Sequence, residues 1–148
     1  MYEFKFETIL KYKKQVEESL QQDFAASKKI WSIERDKLED CYERWQKYIQ
    51  DWREAQKGTL SIIEVDLYQD YMVALKQQMT AQSGVVKTCV EDMDKKRSLF
   101  LEGVKERKTL EQLDEKYLGE YLEHQKKLES GFLDDIATIR YNLDRVEN

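Results

Sequence analysis

No proline occurs in the 148 residues, and glycine occurs only five times. Proline removes a backbone donor and clashes inside a helix, so nothing of that kind interrupts helical structure here. Gly84, Gly103, Gly119 and Gly131 stand without turn-forming neighbours and read as weak points inside a continuing helix, each costing about 1 kcal/mol against alanine. Only Gly58-Thr59-Leu60-Ser61 reads as a break. Histidine is as scarce: His124 is the sole one, which excludes the paired Glu-x-x-His sites of di-iron bundles and most zinc arrangements. Two cysteines do not make a disulfide framework. No stretch approaches the ~18 apolar residues that a membrane-spanning helix needs.

What the chain does have is charge and amphipathic pattern. Charged residues make up 37% and hydrophobic ones 41%, with Leu, Glu, Lys, Gln and Arg prominent, a composition typical of coiled coils. Aromatics at 11% argue against disorder, which depletes them. The net charge of −5 and pI near 5.1 disfavour nucleic-acid binding, which wants a basic face. The opening Met1-Tyr2-Glu3-Phe4-Lys5-Phe6 has neither a basic region nor an apolar core of a secretory signal, so a cytoplasmic location is expected.

Apolar residues recur every three to four positions on both sides of the break. The first seam runs Leu20, Phe24, Ser27, Trp31, Glu34, Leu38, Cys41, Trp45, Tyr48, Trp52, Ala55, alternating four and three, the period of a left-handed supercoil. Toward the N-terminus Phe6, Ile9 and Val16 continue it with a register slip before Leu20. The second seam holds Val65, Met72, Met79, Val86, Met93 and Phe100 at seven-residue intervals, with Tyr68, Leu75, Gln82 and Cys89 between; past Phe100 it shifts to Val104, Leu110, Leu113 and Tyr117. Gln82, Lys96 and Glu34 are polar seam positions of the kind that sets register. Gly58 is expected to end the first helix in a left-handed conformation, and Ser61-Ile62-Ile63-Glu64 to start the second with a capping box.

The fold class expected is all-α, a long antiparallel two-helix coiled-coil hairpin with an overhanging C-terminal helix. It is read as one domain over 1–148: helix 1 about 3–57, turn 58–61, helix 2 about 61–145, overhang from about 118. Folding at 58–61 makes facing residues sum to about 119, which sets Ile9 on Leu110, Leu20 on Phe100 and Tyr48 on Tyr71. Cys41 then falls ~15 Å from Cys89, too far for a disulfide, and both read as small buried hydrophobes. Beyond Tyr117 an amphipathic stripe persists through Leu118, Leu122, Gln125, Glu129, Phe132, Ile136, Ile139 and Leu143. An apolar stripe on a lone helix is stabilised mainly by burial against something else, so the overhang implies a partner or self-association.

No catalytic constellation is present, and the chain is expected not to be an enzyme and to hold no cofactor. Lys57-Gly58-Thr59 resembles the end of a Walker A loop without its upstream glycines or strand. Asp134-Asp135 and Glu17-Glu18 are adjacent carboxylates pointing different ways around a helix. Two basic clusters, Lys95-Lys96-Arg97 and Lys105 with Arg107 and Lys108, are either a solvated face balanced by nearby acids or a dock for an acidic partner. Tyr42, Trp45, Tyr48, Trp52, Tyr68 and Tyr71 crowd the turn, either as seam filling or as aromatic anchors of an interface.

Phe4-Lys5-Phe6-Glu7-Thr8-Ile9-Leu10-Lys11 is similar to the Phe-x-Phe-x-x-x-Leu opening of the FliJ family of bacterial flagellar export proteins. Tyr71-Met72, Leu75, Gln78-Met79 and Gln82 resemble its second-helix start. Lys105-Glu106-Arg107-Lys108-Thr109-Leu110-Glu111-Gln112-Leu113-Asp114-Glu115-Lys116-Tyr117 resembles its Arg/Lys-x-x-Leu-Glu-x-Leu-x-Glu-Lys block, and Leu133-Asp134-Asp135-Ile136-Ala137 with Arg140 its Leu-Asp-Glu-Ile-Ala-x-x-Arg ending.

The resemblance implies a non-enzymatic coupling and chaperone component of the flagellar type III export apparatus, serving flagellum biogenesis, motility and chemotaxis. Its partners would be a hexameric export ATPase, a membrane export gate protein and export chaperones. It would enter the ATPase ring as a stalk and sit at the inner face of the cell membrane without inserting into it. ATPase contacts implied are Phe4, Phe6, Arg107, Lys108, Leu110, Glu111, Lys116, Leu118, Leu122, Phe132, Ile136 and Ile139. Gate contacts implied are Tyr42, Trp45, Tyr48, Trp52, Tyr68, Tyr71 and Leu75. A scaffolding coiled coil and the equivalent stalk of a virulence secretion system are the alternatives.

Overall fold

The computed structural model describes residues 1–147; Asn148, the last residue of the expected domain, lies outside the described residues. The chain is all-α, a helical hairpin of two long helices packed against each other. Helix α1 is Glu7–Ala55 and α2 is Ile62–Glu147, with no strand among the described residues. Neither helix meets a proline, and each starts with an acidic side chain and ends with a basic one: Glu7 and Arg53 in α1, Glu64 and Arg145 in α2. Those charges oppose the helix dipoles. The chain divides into two compact units, Glu18–Glu102 and Met1–Glu17 with the chain from Gly103 onward.

The turn unit, Glu18–Glu102, is a pair of antiparallel helical arms. Every position of the expected first seam from Leu20 to Ala55 is buried or half-buried, and so is every position of the second from Val65 to Phe100. Cys41 and Leu75 are each 3% exposed and Ser27 is 2% exposed. The Ser27 hydroxyl donates to the Phe24 carbonyl at 2.8 Å, which satisfies it inside the seam. Phe24 stacks on Phe100 with planes 8° apart and centroids 6.3 Å apart. Glu34 and Gln82, both polar seam residues, meet each other: the Gln82 amide donates to the Glu34 carboxylate at 2.7 Å and to its backbone carbonyl at 2.9 Å. A polar pair that is satisfied only in one alignment sets the register of the arms. Cys89 is half-buried, less enclosed than expected, and both cysteines are free thiols.

The connection between the arms departs from the expected chemistry. No glycine has a positive φ among the described residues, so Gly58 does not adopt the left-handed cap. Instead the end of α1 tightens: the Lys57 amide donates to the Glu54 carbonyl at 3.2 Å and the Gly58 amide to the Ala55 carbonyl at 3.3 Å. Three-residue bonds of this kind satisfy terminal carbonyls without an inverted backbone. At the start of α2 the Glu64 amide donates to Ser61 Oγ at 3.2 Å, the forward half of the capping box.

In the terminal unit the expected seam positions Phe6, Val16, Val104, Leu110, Leu113 and Tyr117 are half-buried, and Ile9 is the exception. Leu10 is 4% exposed and Ile9 46%, so Leu10, not Ile9, faces inward and there is no register slip. Covered positions are Phe6 just before α1, Leu10, Lys13, Val16 and Glu17 on α1, and Gly103, Val104, Arg107, Leu110, Glu111, Leu113, Asp114, Tyr117 and Tyr121 on α2. Among them Phe6, Leu10, Lys13, Glu17 and Gly103, Arg107, Leu110, Asp114, Tyr117, Tyr121 alternate three and four. Charged residues occupy seam positions, and they are paired across the helices. Lys13 Nζ reaches Glu106 across the pair at 2.8 Å, and Arg107 reaches across to Glu17 and along its own helix to Glu111 at 2.8 Å. Gly103, expected as a weak point in the helix, is buried in the α2 row.

Residues 1–4 carry no helix. Tyr2 and Phe4 lie against α2, with the Tyr2 ring 5.6 Å from Tyr121 and Phe4 6.2 Å from Tyr117. An extended segment places residues i and i+2 on one side, which suits two rings one helical turn apart. This is why α1 begins at Glu7 rather than near residue 3. From Leu122 to Glu147 every residue of α2 is exposed except half-buried Ile136.

Candidate functional site

Nothing in the fold gathers reactive groups. No cluster of three or more His, Cys, Asp or Glu side chains able to hold a metal ion occurs among the described residues. His124 is exposed on α2. What the fold offers is surface, and the surfaces of interest lie in different units.

In the terminal unit, the residues expected to meet an ATPase fall into two groups. Phe4 is 8% exposed and is engaged within the fold, so it supports the surface instead of presenting one. Phe6 packs edge-on against Phe4 at 5.8 Å and is half-buried, as is Leu110. Arg107 and Glu111 are bonded to each other, and Arg107 also to Glu17. The guanidinium donates to the carboxylates of Glu17 and Glu111, and these hydrogen bonds, the one to Glu17 first, hold the Arg107 guanidinium above its ordinary range. The second group is free for contact. Lys108 and Lys116 are exposed, and Leu118, Leu122, Phe132 and Ile139 are 38%, 56%, 66% and 58% exposed. Leu128, Leu133, Tyr141, Leu143 and Val146 add to the same stretch at 55–84%. Soluble helices do not ordinarily leave so many large apolar side chains in water within so short a length.

Tyr2 marks the inner limit of this stretch. Its hydroxyl donates to Asp114 Oδ1 at 2.6 Å and to the Asp114 carbonyl at 3.2 Å. Desolvation first, and the hydrogen bond to Asp114 second, push its phenol up to about 12. Sequence reasoning passed over Tyr2 and Tyr121. The aromatic spacing Tyr2, Phe4 against Tyr117, Tyr121 was the available signal.

In the turn unit, the aromatic crowd is mostly internal. The Tyr48 ring lies tilted against Tyr71 at 4.2 Å and Tyr68 at 5.4 Å, and Trp52 lies 5.0 Å from Tyr68. The Tyr48 hydroxyl donates to the Tyr68 carbonyl at 3.4 Å, and burial raises its phenol above the ordinary range. Trp45 is half-buried, and Leu75 is enclosed in the seam, so it cannot be an exposed anchor. Tyr42 and Tyr71 remain accessible at 48% and 46%. Sequence reasoning missed the aliphatic residues that are more exposed than any of these rings: Ile62 at 82%, Ile63 at 73% and Leu67 at 64%. Their departure from the seam period was the signal.

No helix among the described residues is long and apolar enough to cross a membrane. The model of the flagellar FliJ protein family matches residues 2–145. No curated protein and no solved structure matches the chain.

Proposed function

The chain belongs to the FliJ family of flagellar export apparatus components, and on that premise we propose that it couples the export ATPase to the membrane export gate without catalysing a reaction. The terminal unit enters the ATPase ring as a stalk. The exposed face of α2 from Leu118 to Leu143 buries its apolar side chains there, and Lys108 and Lys116 make polar contacts at the entrance. The turn unit meets the export gate. Export chaperones are further partners, and the protein works in the cytoplasm at the inner face of the membrane.

The observation that carries this reading is the uncovered apolar stretch beyond Tyr121, with Phe132 at 66% and Ile139 at 58% exposure. At about 25 cal/mol per Å², covering four or five such side chains stabilises a complex by several kcal/mol before ordering costs. Arg107, bonded across to Glu17 on α1 and along α2 to Glu111, holds the helix pair together beside that face.

The test is turnover of the purified hexameric ATPase with and without the chain. The unaltered chain raises it; F132S/I139S and K108E/K116E each reduce that effect while helix content stays the same. Equal stimulation by all three proteins rules out this face of α2 as the ATPase contact.

A further inference from the structure

The first turns of α2 present a surface that the ATPase reading does not use. Val65, Tyr68, Met72 and Leu75 turn toward α1 and are buried or half-buried. Ile63 and Leu67, one turn apart on the other side, are 73% and 64% exposed, and Ile62 beside them is 82% exposed. Single exposed aliphatics are ordinary on protein surfaces. Three within six residues, at the start of a helix whose seam is already filled, form a patch with no role in holding the arms together.

The charge around the patch is one-sided. From Gly58 to Leu75 the chain has three carboxylates, Glu64, Asp66 and Asp70, and no lysine, arginine or histidine, although Lys and Arg together number 25 in the 148 residues. Across the turn Lys57 is occupied by Glu54 at 3.3 Å, and Arg53 lies in the last turn of α1, where it complements that helix's negative end. The patch is therefore apolar in the middle and acidic at its edge.

This pattern selects among occupants. An anionic lipid surface attracts lysine and arginine and repels carboxylates. A second copy meeting the patch about a two-fold axis would set each copy's carboxylates against the other's. A protein groove that is apolar inside and basic at its rim satisfies both features, receiving the first turns of α2 as a helix in a groove.

We propose that Ile62, Ile63 and Leu67 form an interaction surface for a protein whose apolar groove is rimmed by lysine and arginine, with Glu64, Asp66 and Asp70 pairing to that rim. This rests on the reading above that the turn unit meets the export gate, and it names the surface that does so.

The probe is the purified cytoplasmic domain of the membrane export gate protein, titrated against the full chain. The unaltered chain binds, and raising salt weakens binding as expected for paired charges. I62S/I63S/L67S loses about tenfold or more in affinity, as for residues at the centre of an interface, with an unchanged helical signal and undiminished ATPase stimulation. E64Q/D66N/D70N flattens the salt dependence. Binding by the triple serine variant equal to that of the unaltered chain removes this surface and leaves the gate as a partner. Failure of the unaltered chain to bind removes both, while the ATPase reading stands on its own assay. Two further outcomes overturn the protein occupant: patch-dependent binding to phosphatidylglycerol–phosphatidylcholine vesicles, and a concentration-dependent dimer that the triple variant abolishes.

Discussion

Adjacent residues Ile9 and Leu10 offer a direct test of how the terminal unit is packed, because one helical position separates the inward face from the outward one. Leu10 is 4% exposed and Ile9 46%. Replacing Leu10 by alanine removes three buried carbons, about 2.4 kcal/mol of transfer free energy at ~0.8 per methylene. The space left behind adds to this, placing the cost in the range of about 2–5 kcal/mol. Replacing Ile9 by alanine removes the same number of carbons from a half-exposed site, and alanine recovers a few tenths of a kcal/mol in helix propensity, so the net cost is about 0–1 kcal/mol. Urea unfolding followed by helical circular dichroism measures both, and at a slope of about 1–3 kcal/mol/M the leucine variant moves the midpoint by about 1 M or more. Units of a chain can open separately, so hydrogen exchange of the α1 amides near residues 10–17 should be followed too. They lose protection in Leu10→Ala and keep it in Ile9→Ala. Equal costs, or a larger cost at Ile9, would refute an unbroken heptad row through Leu10, Lys13 and Glu17.

Two pH-dependent contacts follow the same logic. Tyr2 has its phenol raised to about 12 by desolvation and by its bond to Asp114, so what it adds to stability is fully present below the ordinary tyrosine value and lost as pH rises through about 12. An ultraviolet phenolate titration should show a late component that Tyr2→Phe removes; a titration with no such component contradicts the contact. Glu34 has its carboxyl lowered by the hydrogen bond from Gln82 and then by Lys37. Its contribution is therefore present above the ordinary carboxylate range and disappears as pH falls through the lowered value. Gln82→Ala should return the Glu34 carboxyl toward its ordinary value in a carbon-detected nuclear magnetic resonance titration; an unmoved midpoint rejects the Gln82 bond as its cause.

The turn unit was readable from the sequence because its seam is written in apolar and aromatic residues. Trp31, Leu38, Trp45 and Tyr48 on one arm, with Met72, Met79, Val86 and Met93 on the other, mark the buried side by type alone. Even the exceptions, Glu34 and Gln82, could be recognised as polar seam residues from their place in the repeat. The terminal unit was read only in part for the converse reason. Lys13, Glu17, Arg107 and Asp114 look like solvent residues, and following the apolar residues alone put Ile9 in the seam in place of Leu10 and left the charged positions out. Only when the two helices are side by side does it become visible that Arg107 has Glu17 as a partner, and Lys13 has Glu106. The partner surfaces divide in the same way. The unfilled stripe beyond Tyr121 was evident from its period, whereas Ile62, Ile63 and Leu67 drew no notice beside the aromatics that the fold turns inward.

The sequence by itself determined that the chain is helical, that it reverses near residue 58, and that it is a flagellar export family member. Freedom from proline, a repeat of three and four, and local motif blocks are properties of a single strand of residues and need no neighbour to be read. The tertiary structure decided which charged side chains are internal, that Tyr2 and Phe4 fold onto α2 instead of extending α1, and which turn residues remain open to a partner. Those outcomes depend on what each side chain meets across the helix pair, where an ion pair or a ring contact can make a polar position part of the interior and leave an isoleucine outside.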